Sequence, residues 1–324
     1  MQKILILSTE RDMSTTKVIR WITYLNPDVD VIRLHPEDMV NFPIHCHLAS
    51  ANFNIRTPFT EFNTSEIGAV WTRKWHRRVI SLNSNSLSKQ NVKIFENYLS
   101  DELDVFFQYF IFTIESNKKT YWLNKPYYVE PNKLIQLKVA QSVGLKTSES
   151  TITNTPFEIK HGNKYVSKPL SNCLSLKHKN NIYNNYTCMC VGNESQEDLF
   201  ISYYQEYVSK EFEIRVFYLD GQCFAMAIHS QDNPKTMVDY RRYDYSNHNR
   251  LEPITLPAEI STKLIDLMNM LNLQTGSIDF ILTKEGDYVF LEVNPCGQYD
   301  IFNTCNYSPD KLIAQLLISK INTQ

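Results

Sequence analysis

The stretch that most constrains the fold of this chain is residues 276–299, GSIDFILTKEGDYVFLEVNPCGQY. Its pattern predicts two strands joined by a polar turn at residues 284–287. If that turn is a four-residue loop, Thr283 pairs with Tyr288 and Asp279 lies opposite Glu292. Alternation along the second strand then predicts one shared face for four side chains: Tyr288, Phe290, Glu292 and Asn294. The stretch therefore predicts an antiparallel hairpin with its polar groups gathered at one end.

This end of the hairpin is rich in oxygen donors, which are the carboxylates of Asp279 and Glu292 and the carboxamide of Asn294. Mg²⁺ takes a few protein oxygens of this kind and completes its shell with water and nucleotide phosphates. Asn294-Pro295 leaves the strand, and the apolar neighbours indicate burial around the acids. The three residues are therefore candidate metal ligands, while ordinary surface acids on a solvated hairpin remain the alternative.

The composition limits the class of protein and the class of partner. The 324 residues are 43% hydrophobic and 21% charged, which is typical of globular proteins with about two or three modules. A formal net charge of −2 argues against nucleic acid, and no apolar run reaches the roughly 20 residues of a membrane span. The first residues, MQKILILS, predict a strand and not a signal peptide. The seven cysteines have neither metal-site spacing nor a disulfide framework, which predicts a reducing, cytoplasmic setting.

The first part of the chain predicts a parallel α/β unit. Residues 3–8 suit a buried strand, Ser14 to Thr16 can cap a helix, and residues 29–34 suit a second strand. No GxGxxG motif is present, so a dinucleotide site has no support. Residues 41–66 are polar and are predicted to be irregular. The basic stretch Arg73–Arg78 after a short strand suits a phosphate or an acidic partner, with a solvated turn as the alternative.

The rest of the chain alternates helices with antiparallel strands. The polar residues 171–185, rich in Asn, Ser and Lys, are predicted to form a mobile loop. Antiparallel strands are expected over residues 200–229, around a turn at Asp220-Gly221. Helices are predicted from the spacing of apolar residues over four stretches: 88–115, 133–143, 257–271 and 309–321.

Six pieces of sequence occur in an order that resembles the ATP-grasp superfamily across residues 120–324. They are Lys133 opening a helix, Lys168 ending a strand, Gln205–Val208, Glu213-Ile214-Arg215, Asp279, and Glu292-Val293-Asn294-Pro295. The resemblance implies an α/β (α+β) chain with an ATP-grasp fold. Its parts would be a pre-ATP-grasp α/β domain over 1–122, a small lid over 123–204 and a C-terminal antiparallel sheet over 205–324. One departure is that residues 169–187, where the superfamily carries a glycine-rich loop, contain no glycine.

The resemblance also implies a role for each of these residues, with ATP and two Mg²⁺ ions as cofactors. Lys133 and Lys168 would hold the nucleotide phosphates, with exposed surface lysines as the alternative. Asp279, Glu292 and Asn294 would bind the magnesium. Six further residues would contact the adenine and the ribose: Gln205, Glu206, Tyr207, Val208, Glu211 and Glu213. The alternative for residues 205–208 is an ordinary strand end.

Arginines are the main candidates for catalysis under this resemblance. Arg215 resembles the arginine that steadies the transferred phosphoryl group, because its planar fork binds two oxygens at once. A structural ion pair between Arg215 and Glu213 is the alternative. Arg241 and Arg242 would hold a substrate carboxylate, or would instead form salt bridges to Asp239 and Asp244. The predicted catalytic set is Arg215, Arg241, Arg242 and Lys168.

A second resemblance narrows the reaction. The segments ILILSTERDMSTTKVIRWI, VWTRKW, DYRRYD and EVNPCGQY are together similar to those of ATP-grasp maturases of ribosomal peptides, the graspetide or microviridin-type synthetases of the grasp-with-spasm kind. Such enzymes activate Asp or Glu side chains of a precursor peptide as acyl phosphates and join them to Ser, Thr or Lys. The resemblance implies ω-ester or ω-amide links, a precursor with a leader and an acidic, hydroxyl-rich core, and a homodimeric enzyme. It implies no nucleic-acid or membrane partner.

Two other functions remain open at the level of sequence. One is a different ATP-grasp carboxylate–amine ligase, acting on a small amino acid or adding glutamate to a protein terminus. The other is a non-catalytic nucleotide-binding module, against which the complete set of lysines, arginine and metal ligands argues.

Overall fold

The computed structural model describes residues 2–48, 52–57, 60–75, 80–82, 86–129, 132–155, 164–171, 175–178, 181–184, 187–190, 200–240, 246 and 248–322. Contacts divide the chain into two compact units, Met1–Val129 with Ser308–Gln324, and Glu130–Tyr307. Parallel and antiparallel sheets occur together with helices, which confirms the predicted α/β class. The division into 1–122, 123–204 and 205–324 stays a prediction.

The helices and strands are, in chain order, β1 (Lys3–Leu7), α1 (Met13–Leu25), β2 (Val31–Leu34), α2 (Asp38–Asn41), β3 (Ile44–His47), β4 (Asn52–Arg56), β5 (Glu61–Asn63), β6 (Ile67–Thr72), α3 (Lys89–Ser116), β7 (Tyr121–Leu123), α4 (Lys133–Ser142), β8 (Lys146–Thr147), β9 (Ser150–Thr153), β10 (Tyr165–Ser167), β11 (Ser175–His178), β12 (Asn181–Asn184), β13 (Cys188–Met189), β14 (Ser202–Glu206), β15 (Phe212–Leu219), β16 (Gln222–His229), β17 (Arg250–Ile254), α5 (Ala258–Met270), β18 (Thr275–Leu282), β19 (Tyr288–Asn294) and α6 (Pro309–Asn322). The four predicted helices are confirmed as α3, α4, α5 and α6. None of the helices that the structure describes is both long enough and apolar enough to cross a bilayer.

The first unit is built on a parallel sheet in the order β2-β1-β6-β7, as the strand–helix–strand pattern predicted. Two details differ from the prediction. Helix α1 begins at Met13 after Asp12, and not at a cap formed by Ser14 to Thr16. Residues 41–66 are not irregular, since β3, β4 and β5 form an antiparallel sheet there. Its strands are three to five residues long, and strands this short carry too little alternation to be recognised in a polar stretch.

The basic stretch after β6 begins with a buried ion pair. Arg73 Nε lies 2.9 Å from Asp12 Oδ2, and Lys74 Nζ lies 3.1 Å from Asp12 Oδ1. Burial works to raise the pKa of Asp12, but Arg73, Lys74 and a hydrogen bond from Thr15 bring that pKa below its ordinary value. The first two basic residues therefore stabilise this unit through Asp12. His76, Arg77 and Arg78 lie outside the described residues.

The second unit contains a small antiparallel sheet in the order β13-β10-β14-β9 and a separate hairpin of β11 and β12. The hairpin falls within residues 171–185, where a loop was predicted, so that prediction is wrong for its two strands. Polar Asn, Ser and Lys residues give a strand of four residues little apolar alternation, so the sequence pattern did not distinguish these strands from a loop. The antiparallel strands expected over 200–229 are confirmed by β14, β15 and β16.

The larger sheet of this unit has six strands in the order β17-β16-β15-β18-β19-β8. One face is apolar and packs against α4 and α5, with Leu137 and Leu264 among the contributing side chains. Strand β15 directs Ile214 and Val216 into this core. Because side chains alternate along a strand, Arg215 lies on the opposite face. That polar face carries the candidate site.

The hairpin of β18 and β19 confirms the most important predicted pair, Asp279 opposite Glu292, but reaches it by a different register. Leu282, and not Thr283, pairs with Tyr288. Thr283 bonds to Asp287 instead, so the turn contains residues 284–286 and is one residue shorter than predicted. The Thr283 N–H donates to the Asp287 carbonyl, and Gly286 supplies the left-handed φ of 90° that the turn requires. An irregularity between Asp279 and Phe280 then restores the predicted pairing.

That irregularity also changes which residues share a face. It has the character of a β-bulge, in which two residues of one strand oppose a single residue of its partner. Phe290 pairs with Phe280 and enters the apolar core, whereas Glu292 pairs with Asp279 on the polar face. The prediction that Tyr288 and Phe290 lie on the face of Glu292 and Asn294 is therefore wrong, because the bulge at Leu291 reverses the alternation.

Candidate functional site

The predicted oxygen donors lie in two adjacent rows across β18 and β19. Asp279 is paired with Glu292, and Ser277 is paired with Asn294. Asp279 is buried, Glu292 is partly buried and Asn294 is exposed, so the donors run from the interior of the sheet towards solvent. The register therefore brings the three predicted metal ligands together.

Arg215 lies beside this row on β15, where it pairs with Asp279. Its Nη1 lies 3.3 Å from Asp279 Oδ1 and also donates to the hydroxyl of Tyr240, while its Nη2 donates to the Gln298 carbonyl at 3.0 Å. These three acceptors surround the guanidinium on different sides and fix its orientation. Arg215 therefore forms its ion pair with Asp279, a predicted metal ligand, and not with Glu213, which was the alternative prediction. Tyr240 and Gln298 were not identified from the sequence.

The Gln298 carbonyl is presented by a close turn after Pro295. The Gly297 N–H donates to the Asn294 carbonyl at 3.1 Å. A Cβ atom added at Gly297 would lie 2.8 Å from the Cβ of Ser277, which is closer than packed carbon atoms approach. Glycine is therefore required at position 297 for the chain to return to Arg215 immediately after the metal-ligand strand.

Helix α4 adds a lysine to the same row. Its first residue, Lys133, has its Nζ 3.5 Å from Glu292 Oε2 and 3.5 Å from the Ser171 carbonyl. Asn132 caps the helix, since its Oδ1 accepts from the backbone N–H of Leu134 at 2.8 Å. The site therefore has two neighbouring carboxylates with a cation on each side, in the order Arg215, Asp279, Glu292 and Lys133.

Lys168 directly follows β10, which ends at Ser167 in the smaller sheet, so the predicted strand end is one residue too late. Its Nζ lies 5.6 Å from the centre of the Tyr203 ring. Burial raises the pKa of Tyr203; a hydrogen bond with Ser150 opposes this increase, and the nearby charge of Glu292 adds to it. Tyr203, which the sequence did not single out, therefore connects the surroundings of Lys168 with those of Glu292.

The predicted adenine segment is the end of β14 and the residues that follow. Gln205 is buried, with its Nε2 3.5 Å from Ser150 Oγ, and the Glu206 carbonyl accepts from Ser148 Oγ at 2.7 Å. The Tyr207 N–H donates to the Lys164 carbonyl at 2.7 Å. These bonds attach the segment to the neighbouring strand ends. Val208 is partly buried and Glu211 is exposed, and the roles of all these residues in binding a nucleotide stay predictions.

Glu213 and Lys210 form a buried ion pair that the sequence analysis missed. Lys210 Nζ donates to Glu213 Oε1 and, at 3.2 Å, to the Val238 carbonyl. Burial raises the pKa of Glu213 above its ordinary value, although Lys210 works to lower it. A signal was present in the sequence, because Lys210 lies three residues before Glu213 at the start of an otherwise apolar strand.

The segment that ends at Tyr240 is joined to this polar face by the two contacts just described, Lys210 to Val238 and Arg215 to Tyr240. Asp239 is buried. Arg241, Arg242 and Asp244 lie outside the described residues, so the predicted roles of the two arginines, and their alternative of salt bridges, stay untested.

The donor set fits magnesium. Within the described ranges, no group of three or more His, Cys, Asp and Glu side chains is placed to hold a metal ion. Two carboxylates and a carboxamide on one sheet end are instead the small all-oxygen set that Mg²⁺ uses when phosphates and water complete its shell. Asp279 contacts Arg215 and Glu292 contacts Lys133, and these cations offset the repulsion between the two neighbouring carboxylates.

No known family model matches the chain, and no curated protein matches it. Solved structures do match it over nearly its whole length. A RiPP-associated ATP-grasp ligase of Chryseobacterium gregarium, in complex with ADP and a leader and core peptide, has a TM-score of 0.82 at 23% identity, with 99% of this chain and 97% of that chain covered. The macrocyclase MdnC of Microcystis aeruginosa, bound with the precursor peptide MdnA, has a TM-score of 0.77 at 22% identity, covering 98% and 100%.

The ATP-grasp ligase PsnB, complexed with a minimal precursor, Mg and ADP, has a TM-score of 0.73 at 15% identity, covering 98% of each chain. The similarity extends across both units in all three cases. The chain therefore has the fold of these ATP-grasp ligases.

Proposed function

We propose that this chain is an ATP- and magnesium-dependent ligase that joins Asp or Glu side chains of a ribosomal precursor peptide to its Ser, Thr or Lys side chains. The observation that carries the proposal is a row of four charges in which the paired carboxylates Asp279 and Glu292 lie between Arg215 of β15 and Lys133 of α4. A metal–nucleotide complex needs carboxylate oxygens for its cation and ammonium or guanidinium groups for its phosphates, and this row supplies both.

The structural neighbours support the peptide part of the proposal. All three come from complexes that contain a precursor, leader or core peptide, and two of them also hold ADP. By analogy of fold, we infer the same class of substrate for this chain, a precursor with a leader and an acidic, hydroxyl-rich core. Its links would be ω-esters with Ser or Thr and ω-amides with Lys.

The reaction has two steps in which every atom is accounted for. A peptide carboxylate attacks the γ-phosphorus of ATP, which forms an acyl phosphate and releases ADP. A hydroxyl or amine of the same peptide then attacks the acyl carbon, forms the ester or amide, loses its proton and expels phosphate. The net change is one ATP hydrolysed and one water lost from the peptide for each link.

The residues of this chain contribute mainly by positioning and by electrostatics. Lys133 and Lys168 hold nucleotide phosphates, and Arg215 spreads the negative charge that develops on the transferred phosphoryl group. Bound magnesium, for which Asp279, Glu292 and Asn294 are the ligands, supplies further neutralisation of phosphate charge. Two ions are proposed, since two carboxylates lie in one row.

The finer assignments belong to the same proposal. Gln205 to Val208, with Glu211 and Glu213, form the adenine and ribose side of the site, and Arg241 and Arg242 hold the substrate carboxylate together with Arg215. The three-part division into 1–122, 123–204 and 205–324 also belongs here, with the small sheet as the lid. The cysteines that the structure describes form no disulfide with one another, which supports a reducing, cytoplasmic setting.

One experiment tests the proposed function directly. The protein is incubated with Mg²⁺, ATP and an acidic, hydroxyl-rich precursor encoded near its own gene, and ADP release is measured together with the mass of the peptide. We expect ADP release that depends on the precursor, with a loss of one water from the peptide per ADP formed. The matched inactive control is Glu292→Gln, which keeps the size of the side chain and removes its charge.

The same assay separates the alternatives. ADP release with free amino acids or with a protein terminus, and none with any acidic peptide, would replace the peptide proposal with a carboxylate–amine ligase. Nucleotide binding without turnover of any carboxylate would replace it with a binding module.

A homodimer is the final part of the proposal, and the surface of α3 supports it. Ile94, Tyr98, Val105 and Phe112 are all exposed, and their spacing aligns them along one side of this 28-residue helix. Exposed apolar side chains that share one helix face in this way are typical of protein–protein contacts. The partner in this proposal is a second copy of the same helix face.

We expect Val105→Glu, at a side chain that is 66% exposed, to convert a dimer into a monomer in light scattering coupled to size-exclusion chromatography. The matched control is Met270→Glu, which places the same charge at a 56% exposed apolar residue of α5 and should leave the dimer intact. A wild-type protein that is monomeric at all concentrations would contradict the proposal.

A further inference from the structure

Gln136 contacts the metal-ligand strand in a way that the proposed function does not use. Its side chain is 2% exposed, and its amide makes two hydrogen bonds to one residue of β19. Gln136 Nε2 donates to the Val293 carbonyl at 3.0 Å, and Gln136 Oε1 accepts from the Val293 N–H at 2.6 Å. Val293 lies between Glu292 and Asn294, so the amide is bonded to the backbone that carries both ligands.

The place of this contact in the sheet explains why it is needed. Strand β19 has β18 on one side and β8 on the other, but β8 pairs only with Val289 and Phe290. Among the strands that the structure describes, none pairs with this edge of β19 beyond Phe290, and a buried backbone N–H and C=O must find other partners. A carboxamide offers one donor and one acceptor side by side, as a neighbouring strand does. Gln136 therefore substitutes for the missing strand at the position of the two ligands.

The bulge makes this substitution more important than it would be in a regular strand. Between Phe290 and Glu292 the pairing of β19 with β18 is irregular, so the β18 ladder alone constrains this part of the strand less tightly. The Gln136 bonds lie immediately after the bulge. They select the register in which Glu292 and Asn294 both point to the polar face.

Helix α4 transmits the constraint as a rigid element. Leu137 and Ala140 anchor it in the apolar core, and Lys133, one turn before Gln136, contacts Glu292. Side chains three residues apart lie on the same helix face, so α4 touches β19 once through the Glu292 carboxylate and once through the Val293 backbone.

We propose that Gln136 is a positioning residue for the magnesium ligands, and that its amide bonds to Val293 set the affinity of the site for a magnesium–nucleotide complex. This inference rests on the proposed function, since it takes Glu292 and Asn294 as the ligands. Outer partners that orient metal ligands typically change metal affinity by about 10- to 100-fold when they are removed.

The test measures binding and does not require turnover. Dissociation constants for ADP are measured by calorimetry on the full chain, with Mg²⁺ and with a chelator, for the wild type and for Gln136→Met. Methionine has a similar length and no hydrogen bonds to offer. We expect the gain in ADP affinity from Mg²⁺ to fall by about 10-fold or more, while ADP affinity with chelator stays near the wild-type value.

A matched control is available on the same helix. Gln141 also donates an amide hydrogen bond, from its Nε2 to Thr147 Oγ1 at 2.9 Å, but on an exposed surface away from the site. Gln141→Met should leave the magnesium gain unchanged. A merely structural role for Gln136 would weaken ADP binding equally with and without Mg²⁺, which would overturn the inference.

Two further outcomes are informative. If Gln136→Met does not fold, the same ratio is measured on Gln136→Glu, which retains the acceptor for the Val293 N–H and loses the donor to its carbonyl. A wild-type protein whose ADP binding does not respond to Mg²⁺ overturns the proposed function. If Mg²⁺ raises the ADP affinity of the wild type and of the Gln136 variants equally, only the inference about Gln136 is overturned.

Discussion

Replacing Arg215 with lysine is expected to lower the kcat of ADP formation by about 10²- to 10³-fold, the usual effect of removing one donor that stabilises a developing oxyanion. The guanidinium binds Asp279, the Tyr240 hydroxyl and the Gln298 carbonyl at the same time. A lysine ammonium keeps the charge but has no planar fork, so it cannot meet these acceptors and a phosphoryl group together. The KM for ATP should change far less than kcat, because Lys133 and Lys168 still hold the phosphates in the proposed site.

The measurement is steady-state ADP release with saturating precursor, and Arg250→Lys is the control. Arg250 is an exposed arginine on β17 that pairs with Glu252 on the same strand, so its replacement should leave kcat unchanged. An Arg215→Lys enzyme with kcat close to that of the wild type would exclude Arg215 from the chemical step. Thermal unfolding of the variant separates a loss of chemistry from a loss of folded protein.

Replacing Lys210 with methionine is expected to lower the free energy of unfolding by about 3–5 kcal/mol at neutral pH, the usual cost of leaving one member of a buried ion pair without its partner. Glu213 would then be a buried carboxylate that has lost its nearest cation. Its Oε2 already has no hydrogen-bond partner among the residues that the structure describes. The Val238 carbonyl would also lose its donor.

The loss of stability should depend on pH in a defined direction. Burial raises the pKa of Glu213 above its ordinary 4.5, and Lys210 opposes that increase, so the variant should have a still higher pKa. An acid whose pKa is higher in the folded state than in the unfolded state binds more protons when folded. The destabilisation by such an acid is absent when the pH is below the pKa of the unfolded state, and it grows as the pH rises through the pKa of the folded state. The deficit of Lys210→Met should therefore shrink as pH is lowered towards 4.5.

Chemical denaturation of the wild type and the variant across this pH range tests both statements. Lys263→Met is the matched control, since Lys263 pairs with Glu259 on the exposed side of α5. Breaking that surface pair should cost less than about 1 kcal/mol at any pH. Restoration of stability in the double variant Lys210→Met/Glu213→Gln would confirm that the unpaired carboxylate causes the loss. A pH-independent deficit would contradict the explanation.

The hairpin of β18 and β19 illustrates how far a sequence pattern can predict a site. Alternating apolar residues and a polar turn were sufficient to predict two paired strands and to place Asp279 opposite Glu292. The predicted pairing of the residues between the turn and Asp279 was wrong. The shorter turn at Gly286 shifts the register in one direction, and the bulge at Leu291 shifts it back. Neither the length of the turn nor the position of the bulge is contained in the local pattern of apolar residues.

The residues of the candidate site also divide into those that the sequence predicted and those that it did not. Asp279, Glu292 and Asn294 were identified from the pairing expected in the final hairpin, and the lysines and Arg215 were identified from the resemblance to the ATP-grasp superfamily. Gln136, Tyr240 and Gln298 were missed because each acts through a contact with a residue far away in sequence: 157 positions separate Gln136 from Val293. Backbone carbonyls such as that of Gln298 carry no sequence signal at all.

The sequence by itself determined the class of the fold and the strands that carry the candidate site, and both follow from local alternation and helix spacing. The proposed phosphate and magnesium ligands came from the resemblance to the ATP-grasp superfamily, together with the oxygen donors of the final hairpin. Only the tertiary structure decided which charges meet: Arg215 with Asp279, Lys133 with Glu292, and Lys210 with Glu213. The physical reason is that an ion pair depends on distances between side chains, which sheet register and helix packing set and which no local pattern contains.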